Sequence, residues 1–298
     1  MKRIPPIPTY TQAQLQRRIN QIRLSYKLLA SKTLNPKHVV GTHRFLDTEV
    51  GRVGVLIYNF EKKETLPLFI NIHGSGFVMG SANMDDHLMM NVALSADVKI
   101  ISIDYSLAPD HPFPRALEEC YGVTLYARTH PEEFGIDPDR IVIGGHSAGG
   151  NLSAGVCLMD RERQLLSLKG LILDYPPMDL YTDPYDKPQP KGALPPGMCR
   201  MFDACYCNDR QARKNPLLSP FYTALEQLSS FPPTLVITAE GDSLNEEAEV
   251  YKDNLIKAGV DVTFKRFAGV PHGFNLKPGP ESDESWRLII EHLKHCLH

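Results

Sequence analysis

Residues 140–154 read Arg-Ile-Val-Ile-Gly-Gly-His-Ser-Ala-Gly-Gly-Asn-Leu-Ser-Ala, and the rest of the chain is best read outward from them. Ile141, Val142 and Ile143 form a near-continuous apolar run, while Asn151, Leu152, Ala154, Val156 and Leu158 follow at helical spacing. The period therefore changes from strand to helix across Gly145-His146-Ser147-Ala148-Gly149. A G-x-S-x-G pentapeptide is a weak signal by itself, but between a strand and a helix it predicts a tight elbow with the serine at its apex. Small residues two places before and after Ser147 let strand and helix approach closely. The elbow holds the Ser147 hydroxyl clear of the backbone near a helix N-terminus, where developing negative charge is favoured.

Further strands are predicted at Gly51 to Phe60, Leu66 to Ile72, Val98 to Tyr105, Arg140 to Gly145, Leu171 to Tyr175, Pro233 to Ala239 and Val262 to Phe267, with helical patterns between them. Strands alternating with helices imply crossover units and an α/β fold with a mostly parallel sheet. Leu68 to Ile72, Ile100 to Ile103 and Ile141 to Ile143 are near-continuously apolar, as strands covered on both faces should be. The alternation from Gly51 onward suggests an antiparallel edge strand, making the sheet mixed.

The chain has 298 residues, 42% hydrophobic and 22% charged, enough for one large core with added segments. Its 32 basic and 35 acidic side chains give a net charge of −3, which provides no general field for nucleic acid. No apolar run is long enough to cross a membrane. The first residues, MKRIPPIPTYTQAQLQRR, lack the apolar stretch of an export signal, so a cytoplasmic location is expected. Six cysteines are too few for a disulfide scaffold. Cys199, Cys205 and Cys207 match no zinc-binding spacing, and His292, His295 and Cys296 lack a further ligand, so neither metal nor cofactor is expected.

A serine nucleophile needs a base to take its proton and a carboxylate to orient that base, which on this kind of sheet follow in the order serine, acid, histidine. The apolar run Leu235 to Ala239 delivers Glu240-Gly241-Asp242 at its carboxyl end, and the run Val262 to Phe267 leads into Gly269-Val-Pro-His272-Gly-Phe274. Strand ends on that edge are where α/β sites assemble. Asp242 lies in the loop past its strand, whereas Glu240 still belongs to the strand and Glu246 already to the next helix. Asp242 is therefore the expected acid and His272 the base. His146 adjoins Ser147, but neighbours in an elbow point apart, so it is not expected to serve as the base. The turn His73-Gly-Ser-Gly-Phe77 follows a buried strand and can aim backbone donors at the serine; those of Ser75, Gly76 and Ala148 are the expected oxyanion hole.

Two segments break the alternation. Residues 9–34 read as one helix with Leu15, Ile19, Ile22, Tyr26 and Leu29 on an apolar stripe and Arg17, Arg18, Arg23 and Lys27 elsewhere, which suits docking better than membrane binding. Residues 176–230 contain a helical pattern with Met198, Met201, Phe202, Cys205 and Tyr206. Together the segments are candidates for a cap. The organisation expected is a cap segment at 1–40, a catalytic domain at 41–175 and 231–298, and a second cap segment at 176–230. Met198, Met201 and Phe202 from the cap, with Phe77 and Phe274 from the sheet edge, make up the candidate substrate pocket.

These motifs resemble the hormone-sensitive-lipase-like family of α/β-hydrolase carboxylesterases. His73-Gly-Ser-Gly-Phe77 is similar to the family's H-G-G-G-F, Gly145-His-Ser-Ala-Gly-Gly150 to G-D-S-A-G-G, and Tyr105-Ser-Leu-Ala-Pro-Asp-His-Pro-Phe-Pro114 to Y-R-L-A-P-E-H-P-F-P. Ala239 to Leu244 and His272-Gly-Phe274 resemble the acid and histidine segments. Three residues depart from the pattern: Ser75 stands for a glycine, where it could add a hydroxyl donor, His146 for an aspartate, and Ser243 for a proline. The resemblance implies an α/β-hydrolase fold with about eight strands and a helical cap. It also implies a serine carboxylesterase acting on short-acyl esters, with a deacetylase of acetylated carbohydrates as the nearest alternative. A peptidase or a ligand-binding protein on the same scaffold are more distant ones. The expected partner is a small ester, with nucleic acid and membrane excluded and a homodimer left open.

Overall fold

The computed structural model describes residues 5–33 and 39–298. Its strands are β1 (Thr42–Thr48), β2 (Gly51–Tyr58), β3 (Leu66–Ile72), β4 (Lys99–Asp104), β5 (Ile136–His146), β6 (Gly170–Asp174), β7 (Thr234–Gly241) and β8 (Val262–Pro271). The helices are α1 (Gln12–Thr33), α2 (Asp86–Ala96), α3 (Arg115–Thr129), α4 (Pro131–Phe134), α5 (Ala148–Arg163), α6 (Pro196–Tyr206), α7 (Leu225–Leu228), α8 (Asn245–Lys257) and α9 (Pro280–Leu297). The eight strands form one sheet in the order β1-β2-β4-β3-β5-β6-β7-β8. β2 is antiparallel to both neighbours, and the pairs from β4 to β8 are parallel.

The sheet carries a core on each face, and the central strands feed both. In β3, Leu68, Ile70 and Ile72 join the core under α3, α5 and α8, while Phe69 points to the opposite core under α2 and α9. Ile141 and Ile143 divide from Val142 in the same way. That alternation is why these strands contain no polar face. Each such side chain contributes about 1.5–3 kcal/mol through its removal from water.

The Gly51 strand is antiparallel, but it is not the edge. β1 lies outside it and escaped the sequence reading because Leu46 is its one buried residue, leaving no alternation to detect. Helix α1 starts later than expected, at a reciprocal cap. The Gln14 side chain accepts from the Thr11 N–H at 2.8 Å, and the Thr11 hydroxyl accepts from the Gln14 N–H at 3.3 Å. Leu15 and Ile19 are fully buried and Ile22 packs beside them. The side chains of Tyr26, Lys27 and Leu29 lie outside the described residues, as do residues 1–4 and 34–38 of the expected first cap segment. Arg23 departs from its expected solvated position. Its guanidinium donates to the carbonyls of Val78 and Ala108, both at 2.7 Å, and pairs with Asp110 at 2.6 Å. No helix among the described residues is long and apolar enough to cross a membrane.

In α9, His292 is buried while His295 is exposed, so the two histidines do not converge. Among the described residues no three His, Cys, Asp or Glu side chains gather as metal ligands. Burial holds the His292 imidazole down at about 4. Between its ordinary value of about 6.5 and about 4 the unfolded chain takes up a proton that the folded chain refuses, so this stability is lost as pH falls through that window. We predict that His292→Gln removes on the order of 2 kcal/mol of the stability difference between pH 7 and pH 4.5, measured by denaturant unfolding. Equal pH slopes in both proteins would refute this.

Candidate active site

β3, β5, β7 and β8 run parallel, so residues just past their carboxyl ends meet on one edge. Ser147 follows β5 with φ 54° and ψ −124°, a conformation that L residues rarely adopt, and α5 begins at the next residue. The close approach needs glycine at two positions. A Cβ on Gly145 would stand 2.1 Å from the Ile72 carbonyl oxygen, and one on Gly149 would stand 1.9 Å from it. β3 thus passes directly against the elbow and hands the chain to His73 and the turn after it.

His272, one residue past β8, links the other two groups. Its Nε2 lies 2.9 Å from Ser147 Oγ and its Nδ1 2.5 Å from Asp242 Oδ2. Asp242 is buried, and its second oxygen accepts from the Leu244 N–H at 3.1 Å. Glu240 is instead exposed and accepts from the Gly269 N–H at 2.8 Å. The loop carrying His272 is anchored by Asn275, which sequence reasoning missed. Its amide donates to Asp174 (2.7 Å) and Ser285 (3.0 Å), its side-chain oxygen accepts from Tyr175 (2.6 Å), and its carbonyl accepts from Trp286 (2.9 Å). A lone loop asparagine carries no pattern that could have revealed this.

The turn after β3 is strained into position, with positive φ at Ser75, Gly76 and Phe77. The backbone N–H groups of Ser75, Gly76 and Ala148 donate to no backbone acceptor among the described residues. The Ser75 hydroxyl is not an extra donor for the site, because it bonds to the carbonyls of Gly74 and Met79. The turn is held from several sides. Tyr105 stacks on His73 at 4.2 Å and donates to the His73 carbonyl at 3.1 Å, while the Ala108 N–H donates to the Phe77 carbonyl at 2.9 Å. The 105–114 segment is therefore a brace for this turn.

His146 lies behind the turn. Its Nε2 accepts from the Gly74 N–H at 3.1 Å, which puts the proton of the neutral ring on Nδ1, 3.7 Å from Asp85 Oδ2. Burial lowers the His146 imidazole below its ordinary value and raises the Asp85 carboxyl, and Asn71 donates to Asp85 at 2.9 Å. His146 thus fixes the Gly74 backbone and makes no hydrogen bond to Ser147.

A cavity of about 190 Å³ opens over Ser147 and His272. Phe77, Met198 and Phe202 line it, as the sequence suggested. Met201 and Phe274 do not. On α6 the wall is formed by Met198, Cys199, Phe202 and Asp203, whereas Met201, Cys205 and Tyr206 turn into the core. The apolar residues of α6 cover more than one face, and the side presented to the cavity is marked by the polar Asp203 that pattern reading passed over. Phe274 packs instead against Phe267 and Tyr175. Leu180, Pro184, Lys187 and Leu194, from the irregular stretch before α6, also line the cavity. A non-periodic loop offers no signal for such residues.

Residues 69–276 match the family described as alpha/beta hydrolase fold. The chain is 30% identical over 273 residues to an arylesterase of Saccharolobus solfataricus, covering 90% of this chain and 87% of that protein. Among solved structures, a thermostable esterase from Pseudomonas putida superposes with a TM-score of 0.86 at 27% identity, covering 100% of this chain and 99% of the other. The hyperthermophilic esterase of Pyrobaculum calidifontis gives a TM-score of 0.82 at 29% identity, over 95% and 96% of the two chains. By motif, fold and relatives together, the chain belongs to the hormone-sensitive-lipase-like family of α/β-hydrolase carboxylesterases.

Proposed function

We propose that the protein is a serine carboxylesterase of short-acyl esters in which Ser147, His272 and Asp242 form the catalytic triad. The observation that carries this reading is the placement of His272 between Ser147 Oγ at 2.9 Å and Asp242 at 2.5 Å. In the mechanism, Ser147 attacks the ester carbonyl as His272 Nε2 takes its proton, and Asp242 holds the ring and stabilises the cation. The backbone N–H groups of Ser75, Gly76 and Ala148 receive the oxyanion. His272 then protonates the leaving alcohol, and a water activated by the same ring releases the acid from Ser147. Short acyl groups are favoured because the cavity is small and roofed by α6 and the 180–194 stretch.

Ser147→Ala should abolish hydrolysis of p-nitrophenyl esters, with a loss on the order of a millionfold in turnover and an unchanged circular dichroism spectrum. Retention of a tenth of wild-type turnover would remove Ser147 from the mechanism. Asp242→Asn should lower kcat by about four orders of magnitude with little change in KM, since the amide favours the wrong imidazole tautomer. Glu240→Gln and Glu246→Gln should stay near wild type, and a crippled Glu246 variant would reassign the acid. Across an acyl series, kcat/KM should peak at roughly two to six carbons, the length that suits an enclosed site of ordinary size. A preference for emulsified long-chain triglycerides would replace the enclosed pocket with an opening lid.

A further inference from the structure

Of the Asp, Glu, Lys and Arg side chains that line the cavity, Lys187 is paired with a carboxylate and Asp203 is in no ion pair among the described residues. Arg200 binds Asp183 through two hydrogen bonds of 2.7 and 2.5 Å, and the Lys187 ammonium lies 2.5 Å from Glu247. Asp203 lines the cavity, is 8% exposed, and its carboxylate takes no side-chain or backbone hydrogen bond among the described residues. A buried carboxylate with no hydrogen-bond partner in the protein is costly to keep. Lys187 lines the same cavity. Two of its three ammonium protons are used, towards Glu247 and the Asp179 carbonyl at 2.6 Å, leaving one donor.

We propose that Asp203, assisted by Lys187, is a specificity determinant that recognises a hydroxyl group on the substrate, so that the preferred substrates are hydroxylated short esters. This rests on the reading of Ser147 as the nucleophile. A hydroxyl can donate to Asp203 and accept from Lys187 in one position, which neither an alkyl chain nor an ammonium can do. Arg213 and Lys187 already offset the charge of Asp203, while burial, with Glu247 and Asp179 nearby, pushes its carboxyl up to about 7. A group held so near neutrality suits a neutral partner better than a cationic one. The neighbouring Met198, Phe202 and Leu180 leave the rest of the cavity apolar, so a single polar contact can dominate the choice.

The hydroxyl can belong to the acid or to the alcohol, and matched pairs separate the two. Wild-type kcat/KM is compared for p-nitrophenyl β-hydroxybutyrate against the butyrate, and for glycerol monoacetate against propyl acetate. The expected result is a preference of about tenfold or more for the hydroxylated member of one pair. That ratio should fall to about one in Asp203→Leu and be partly kept in Asp203→Asn, which still accepts and donates. Because the ratio is taken within each variant, a general loss of activity cancels. Ratios near one for both pairs in wild type, or an undiminished ratio in Asp203→Leu, would overturn the proposal. Failure of the wild type to cleave any of the four esters would instead overturn the esterase reading beneath it.

Discussion

The Ile72 carbonyl oxygen is the point where strand, elbow and helix converge. No side chain fits between it and either Gly145 or Gly149, so β3, β5 and the first turn of α5 share a space that only hydrogen atoms can fill. This contact sets the height of Ser147 above the sheet and places the turn beginning at His73 beside it. The positive φ of Ser147 follows, since the chain must reverse within one residue to enter α5. The same turn leaves the Ala148 N–H at the start of the helix with no backbone acceptor among the described residues.

Around that contact the fold surrounds the turn after β3 with side chains from distant segments. Phe202 covers Gly76 so closely that a Cβ there would fall 2.4 Å from its ring. Tyr206 stacks on Phe77 at 3.9 Å, and Arg23 of α1 binds the carbonyls of Val78 and Ala108. His146 holds Gly74 from behind. The roof and the turn are thus one packed unit, and residues that line the cavity also stiffen the backbone of the turn. In the mechanism proposed above, donors held this way need no rearrangement as charge develops.

His272 depends on a separate set of constraints. The register between β7 and β8 brings Gly241 opposite Pro271, so Asp242 and His272 leave the sheet side by side. Asn275 then ties the loop after His272 to Tyr175, Asp174 and α9 through hydrogen bonds in a dry interior. Such bonds are worth more where water cannot compete, and they leave the imidazole little freedom to turn from Ser147.

The sequence by itself determined the parallel centre of the sheet, because Leu68 to Ile72 and Ile141 to Ile143 are near-continuously apolar and only a doubly covered strand tolerates that. It also determined the elbow and the order of Ser147, Asp242 and His272, since small residues and strand ends are local features. It did not reveal β1, whose exposed side chains carry no period, nor the split of α6 into a cavity side with Met198, Phe202 and Asp203 and a core side with Met201 and Tyr206. A helix with apolar residues on more than one face can be rotated to bury any of them, and the choice falls to whatever it packs against. Here Phe77 and Phe113 receive Tyr206, and that docking turns Asp203 toward the cavity. Arg23, Asn275 and the wall from Leu180 to Leu194 were decided in the same way, by partners dozens of residues away whose contacts exist only once the sheet has brought them together.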